Sequence, residues 1–454
     1  MSTRRGGSRQ GELFPRSKRP AMEIDPQHPL VRMTETIDWD EIAERVEQIR
    51  DKKLKNGAGR PPRLRALIGA VLVMATRRVT YRDAEDLIRH YAPARYLCGL
   101  TESDWTPDFT TIQDFTELIG EEGMKLLNEY VVVIAVKKGL ADPKTLVADT
   151  TAQEAAVPYP NEIGLMASFL RSAVGSMKQA GGAMKKVAEK TKAVVKAAKE
   201  KVRRYRLFAK TKEKKVQLTK QLTQLVGTVA KEIRRALPPK TVSHAQRKLA
   251  RLSDTMVRLL PQIHHWLRTG HVAPGKIINL QIPELYSIVR GKVGKAVEFG
   301  LAWGISRIGG GYLRGAVGRK RKEVDDSKYV IQAVEDHRSL FGAVPRSYAY
   351  DRGGYSRENV ADLKRRGVRD VGLAPRGRAE WPVTGRTRDR LVRERALVEG
   401  GIGAVKSLRY GFHRPGARSL EMMGACGQRG LLGFNLNKLV RELPPRRIRR
   451  MRAA

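Results

Sequence analysis

Apolar residues recur with a helical period over residues 37–140. In "DWDEIAERVEQIRDKKL", Trp39, Ile42, Val46 and Ile49 share one helical face, and Asp38 stands where an N-cap belongs. "NGAGRPP" ends that helix. "RLRALIGAVLVMATRRV" is apolar enough to predict a core helix. "TYRDAEDLIRHY" predicts a third helix capped by Thr80, and "WTPDFTTIQDFTELIG" a further one capped by Asp108 or Thr110. The expectation is a helical N-terminal domain with basic edges. It reads either as a helix-turn-helix-like DNA-binding unit or as a domain that only packs on its neighbour.

The texture changes at Lys144. "KTLVADTTAQEAAVPYP" predicts a strand whose last residue is Asp149, leading into a loop. From Ala167 to Leu260 the pattern is helical again and dense in Lys and Arg. Val187, Val194, Val195, Ala198 and Val202 form an apolar stripe, continued by Val216, Leu218, Leu222, Leu225 and Val229. This predicts an antiparallel helical hairpin, with an outside that is merely solvated or that lies on DNA. Alternating Val297, Phe299, Leu301 and Trp303 before "GGG" at 309–311 predict a β-hairpin. No Lys-Ser/Thr follows the glycines as a phosphate-binding loop requires, so they read as a turn. "SKYVIQAVEDHRSLFG" predicts a helix with Val330, Ile331, Val334 and Leu340 inward. A short strand ending at Asp351, a helix capped by Ser356 and a strand in "VRDVGLAP" follow.

Charge narrows the class of partner. The chain has 454 residues, with 88 Lys and Arg against 47 Asp and Glu, a formal net charge of +41. That excess favours a polyanion, nucleic acid ahead of an anionic membrane. The runs "LIGAVLVMA" and "YVVVIAV" are too short to span a bilayer, and the first twenty residues lack the apolar core of a signal peptide. Cys98 and Cys426 form no CxxC pair, which argues against a zinc knuckle and fits a reducing compartment. The expected location is the cytoplasm, associated with the nucleoid. His264 and His265 have no Cys or Glu at metal-ligand spacing.

One stretch stands apart. In "RALVEGGIGAVK", Arg395, Glu399 and Lys406 occupy positions i, i+4 and i+11, which at ~100° per residue fall within ~40° of one another. A core helix would place apolar residues there. Gly400, Gly401 and Gly403 make the segment a poor helix by propensity. The element order is nevertheless α/β, and carboxylates at strand ends line the crevice where open α/β sheets put their ligands. Asp149, Asp351 and Glu399 together would make a hard oxygen site suited to Mg²⁺ or Mn²⁺. Two such ions can activate a water or a 3′-hydroxyl and stabilise the leaving oxygen of a phosphodiester.

"LVADTTAQEA", "SYAYDRGGYSRENV" and "RALVEGGIGAVKSLRYGFHR" resemble the three catalytic blocks of bacterial insertion-sequence DDE transposases. "TPDFTTIQDF" is similar to the helical domain that precedes the core in those enzymes. The resemblance covers roughly residues 37–165 and 290–435. It implies a ribonuclease-H-like mixed sheet with flanking helices. It also implies two-metal cleavage of element ends and joining of 3′-ends to target DNA. One branch carries a Tyr-Arg-Glu-Lys signature; Arg395, Glu399 and Lys406 match its spacing, while Val392 stands where Tyr is usual. By resemblance Asp149 and Asp351 hold the metals and Glu399 completes the coordination. The resemblance also implies that Arg395, Lys406 and Arg409 contact DNA, that His413 and Arg414 read equally as backbone contacts or as a plain basic loop, and that the protein acts on double-stranded DNA as a homodimer.

The expected division is a basic flexible arm (1–36), a helical domain (37–140) and a catalytic core in two parts (141–166 and 286–437). A basic helical insertion (167–285) separates those parts, and a basic tail (438–454) follows. Two alternatives share this pattern: a transposase-derived DNA-binding protein without activity, and a nuclease of the same core that never joins strands.

Overall fold

The computed structural model describes residues 24–54, 62–101, 105–292, 295–375 and 380–444. The break "NGAGRPP" lies largely outside them. Part of the expected flexible arm is ordered: α1 (Pro29–Thr36) buries Leu30, Val31 and Met33. Pro29 presets the first helical turn, where its missing N–H costs nothing, and three apolar residues dock it. Residues 1–23 lie outside the described residues.

Helices α2 (Trp39–Lys53), α3 (Leu64–Arg77), α4 (Tyr81–His90), α5 (Ala92–Leu97) and α6 (Phe109–Lys137) follow. Their starts obey the capping chemistry. Asp38 accepts from the Glu41 N–H, Thr80 and Asp83 cap each other reciprocally, and Asp108 accepts from the Thr111 N–H. Gly120, with φ 56° and ψ −148°, kinks α6. A small apolar cluster of their own (Ala66, Ala70, Met74, Ala84, Ile88 and Ile112) joins α3, α4 and α6, but other buried faces of these helices are shared with the sheet. Leu72, Val73 and Leu127 belong to one apolar cluster with Leu146 and Tyr348 of the sheet and with Leu432, Leu436 and Leu439 further along the chain.

The sheet is mixed and six-stranded. Strand β1 (Asp142–Glu154) pairs antiparallel with β3 (Lys295–Gly309) on one side and parallel with β5 (Ser347–Tyr350) on the other. Strand β6 (Asp370–Leu373) extends it parallel to β5. Strands β2 (Tyr286–Lys292) and β4 (Leu313–Gly318) both pair antiparallel with β3. The hairpin expected at 297–317 is β3–β4, turning through Gly310 and Gly311 at φ 88° and 91°. A Cβ on Gly310 would meet the Leu140 carbonyl at 2.4 Å.

Asp149 does not end its strand. Strand β1 continues to Glu154 through polar residues, because β3 offers pairing as far as Gly300 and the buried polar groups find partners. Gln153 Nε2 donates to the Phe412 and Met423 carbonyls, each at 2.9 Å, and its Oε1 accepts from Trp303 Nε1 at 3.0 Å. A polar strand segment buried this way carries no periodicity to read.

Between β1 and β2 the chain forms α7 (Glu162–Ala180), α8 (Gly182–Phe208), α9 (Lys212–Ala236) and α10 (His244–Thr269). The expected hairpin is thus half of a four-helix bundle that starts at Glu162 rather than Ala167. Met166, Phe169 and Leu170 of α7 and Leu249, Met256 and Leu259 of α10 complete the core begun by Val187, Val195, Leu222 and Val226. The remaining helices are α11 (Asp326–Phe341), α12 (Arg357–Arg365), α13 (Gly385–Lys406) and α14 (Leu420–Glu442). Val330 and Val334 of α11 are buried as expected, and Ser356 caps α12. Residues 438–442, expected in the tail, complete α14, and 445–454 lie outside the described residues.

Helix α13 runs unbroken through its glycines. Leu391 and Val398 anchor it against Val147 of β1 and Ala349 of β5, and Val405 packs in the cluster with Leu313 and Trp303. Tertiary burial of these three residues outweighs a propensity cost of about 1 kcal/mol per glycine.

Candidate metal centre

Strand register brings the first two carboxylates together. Val147 of β1 stands level with Ala349 of parallel β5. Two residues further along come Asp149, still within β1, and Asp351, the residue just past β5, on the same face. Asp149 accepts the Thr150 N–H at 2.7 Å. Asp351 follows the last residue of β5 and accepts the Gly353 N–H at 2.8 Å, capping a single 3-10 turn (Arg352–Gly354).

A third carboxylate joins them that the sequence reading passed over. Asp325 caps α11, and the next residue, Asp326, turns back to the sheet. Its Oδ1 accepts from Thr150 Oγ1 at 2.6 Å and from the Tyr350 hydroxyl at 3.2 Å. Asp149, Asp326 and Asp351 each offer an oxygen, and these oxygens lie within 4.8 Å of one another. The signal was present in "VDDSKY": one aspartate suffices for a cap, and the second is surplus. Gly353 is required beside it, since a Cβ there would lie 2.4 Å from Asp326 Oδ2.

The electrostatics fit a cation. Burial pushes the Asp351 carboxyl above its usual range, and the neighbouring Asp326 charge pushes it the same way. The Gly353 and Gly354 N–H groups and the Arg395 guanidinium pull it back without cancelling the shift. Three converging acids that only partly balance are an all-oxygen donor set of the kind divalent Mg²⁺ or Mn²⁺ takes.

Glu399 is exposed on α13, outside the close group, and lines the same cavity of about 700 Å³. Lys406 lines that cavity too and donates from Nζ to Thr151 Oγ1 at 3.0 Å. The cationic face of α13 therefore stands opposite the aspartates. The other three basic candidates lie elsewhere. Arg409 is exposed, with its guanidinium 5.6 Å from the Tyr410 ring centroid. Arg414 pairs with the buried Glu154 at 3.1 Å, and His413 Nε2 lies 3.8 Å from the same carboxylate. Arg414 has a left-handed backbone (φ 50°), and its N–H bonds the Glu154 carbonyl at 3.0 Å. These two residues close the far end of β1, five residues beyond Asp149.

Among the described residues no helix is long and apolar enough to cross a membrane. Residues 20–118 match the family model described as "Transposase domain (DUF772)". That stretch includes α1 to α5 and the start of α6, and it ends before the sheet and its aspartates. No curated protein and no solved structure matches the chain. The similarity supports a transposase family, and hence an enzyme that acts on nucleic acid.

Proposed function

We propose that this protein is a DDE transposase of a bacterial insertion sequence, with a ribonuclease-H-like catalytic core. One observation carries the reading: three aspartates from β1, from the end of β5 and from the start of α11 converge within 4.8 Å. They do so in a cavity that also holds Glu399 and Lys406. The family match in the N-terminal helices supports it independently, because the matched residues exclude every residue of the site. The sheet also supports it. An antiparallel β4–β3–β1 meander is extended by parallel β5 and β6, as a ribonuclease-H-like core requires.

Asp149, Asp326 and Asp351 would hold Mg²⁺ or Mn²⁺, with Glu399 closing the ligand set from α13. When bound, the ions supply Lewis-acid activation of a water or 3′-hydroxyl and neutralise charge on the leaving oxygen. The chain's own residues orient the substrate. Thr150 and Tyr350 fix the Asp326 carboxylate through two donated hydrogen bonds, so its free lone pairs point in one direction. Lys406, steadied by Thr151, and Arg395, one turn before Glu399, present positive charge to the phosphates beside the scissile bond. The wider positive surface holds DNA ends, and two copies of the chain would pair them.

The test uses the protein with its own flanking inverted-repeat DNA. With Mg²⁺ we expect 3′-end nicks and joined products, both abolished by EDTA. Nicks without joined products would make it a nuclease. Binding without either would make it a DNA-binding derivative. Strand transfer by Asp149→Asn near the unsubstituted level would refute the catalytic assignment.

A further inference from the structure

Residues 162–269 carry 26 Lys and Arg against 6 Asp and Glu, about half of the chain's net charge of +41. On α8 that charge is sorted. The buried side chains there are Met184, Val187, Thr191, Val195, Ala198 and Val202. At ~100° per residue, Lys185, Lys192, Lys196, Lys199 and Arg203 fall within ~60° of one another, centred roughly 110° round the helix from the buried stripe. All five are exposed. Lys185, Lys196 and Lys199 make no hydrogen bond or ion pair among the described residues. Lys192 and Arg203 have only loose contacts, at 3.5 Å to Glu189 and 3.8 Å to Glu200.

A face that is merely solvated intersperses acids at i+4. Here Lys192 with Lys196 and Lys199 with Arg203 are like-charged pairs at that spacing, and Lys196 with Lys199 at i+3, an arrangement that destabilises a helix until an anion lies along it. The other flank of α8 is built differently, since Lys190 pairs with Glu232 of α9 at 2.7 Å. The row also has a direction. Helix α7 follows β1 after residues 155–161, and α8 follows α7 through the single residue Gly181. The Glu162 charge in the first turn of α7 reaches Tyr205 near the end of α8, so the two helices run antiparallel and Arg203 marks the end of the row nearer the sheet. From Lys185 to Arg203 the row is roughly 27 Å long at ~1.5 Å per residue, about eight base pairs of duplex at ~3.4 Å each.

We propose that this row of α8 lies along the phosphate backbone of duplex DNA flanking the cleaved end, making the insertion a sequence-independent clamp that extends the footprint beyond the acid cavity. The side-chain chemistry selects the ligand. Four of the five cations are lysines, flexible point charges that hold phosphates without reading bases. Tyr205 and Phe208 lie roughly 150° round the helix from the row, so single-stranded bases would find no aromatic platform on it. The apolar face of α8 is buried in the bundle core, which leaves none to enter a lipid surface. The proposal rests on the reading of the chain as a DNA enzyme, and it deepens that reading by giving the insertion a share of the DNA.

The full chain is titrated by anisotropy against a mixed-sequence duplex across a salt series. Replacing Lys185, Lys192, Lys196, Lys199 and Arg203 by Gln should lower the slope of log K against log salt by about 4. Arg at the four lysine positions should keep the slope. Replacing Lys220, Lys231, Arg234 and Arg235 by Gln should change it by less than ~1, because these exposed cations of α9 turn toward α10, where Arg234 meets Asp254 at 3.5 Å. Hydroxyl-radical footprints on end DNA should shorten by about eight base pairs in the first glutamine variant and stay full in the second. An unchanged slope in the first variant, or equal losses in both, overturns the proposal alone, since Mg²⁺-dependent nicking of end DNA reads the enzyme separately. Failure of the unsubstituted protein to bind any duplex overturns both readings. Tighter binding to a thymidine oligomer than to duplex, lost in the first variant, would assign the row to single strands and overturn the proposal. Loss confined to phosphatidylserine vesicles would assign it to a membrane and do the same.

Discussion

Asp351→Asn should make the metal-free protein more stable and remove its response to Mg²⁺. Like charges within 4.8 Å repel by about 3.5 kcal/mol at an effective dielectric constant near 20, and by about 0.9 kcal/mol in water. Asp351 is half-buried, so relief of its repulsion from Asp326 and Asp149 is worth ~1–3 kcal/mol. The Asn carbonyl still accepts the Gly353 N–H, so the 3-10 turn survives. For a cooperative unit of the sheet and its helices this is a rise in Tm of roughly 2–8 °C. The sign in pH follows from the raised carboxyl pKa. The folded state holds its proton more tightly than the unfolded one, so stability is full below the ordinary aspartate range near pH ~4 and declines as pH rises through the folded value. The gap between variant and unsubstituted protein should therefore close on acidification and open toward neutrality. Saturating Mg²⁺ reverses the order, since a ligand at a hundred times its Kd adds about 2.7 kcal/mol to the protein that can bind it. The assay is thermal unfolding in EDTA and in Mg²⁺ at a series of pH values. An Asp351→Asn protein no more stable than its parent in EDTA at neutral pH, or equally stabilised by Mg²⁺, would refute the convergence of charge on which the metal site rests.

Asp326→Asn should cut Mg²⁺-dependent nicking by roughly a thousandfold, as loss of one member of a catalytic unit does, and activity near the parental level would remove Asp326 from the site. Gly304→Ala should destabilise by about 1–3 kcal/mol in chemical denaturation, because the new Cβ would lie 2.3 Å from the fully buried Tyr329 ring. Gln153→Leu should cost about 2–5 kcal/mol, since the Trp303 N–H and two buried carbonyls lose their partner together. An unchanged midpoint for either variant would show that β1 and β3 relax more freely than their packing implies.

Much of the local structure was legible because it is set by neighbours in sequence. Asp38, Thr80, Asp108 and Ser356 cap helices where their side chains and following apolar residues say they should. The Gly309–Gly311 turn, the strand before Asp351 and the polar face of α13 were legible for the same reason. Asp149 and Asp351 could be named from their place in apolar runs. Where the chain's pattern is interrupted by partners far away, reading failed. Gln153 looks like a loop residue until Phe412, Met423 and Trp303 surround it. Asp326 looks like a second helix cap until Thr150 and Tyr350 reach it.

The sequence by itself determined the capped helices α2, α4, α6 and α12, the basic surface and the kinds of acid available for a metal, since period, capping and charge are local quantities. Only the tertiary structure decided which acids meet. Parallel register between β1 and β5 sets Asp149 beside Asp351, and the packing of α11 on β1 adds Asp326 to them. It also sent His413 and Arg414 to Glu154 rather than to the cavity, because a buried carboxylate must be paired with charge.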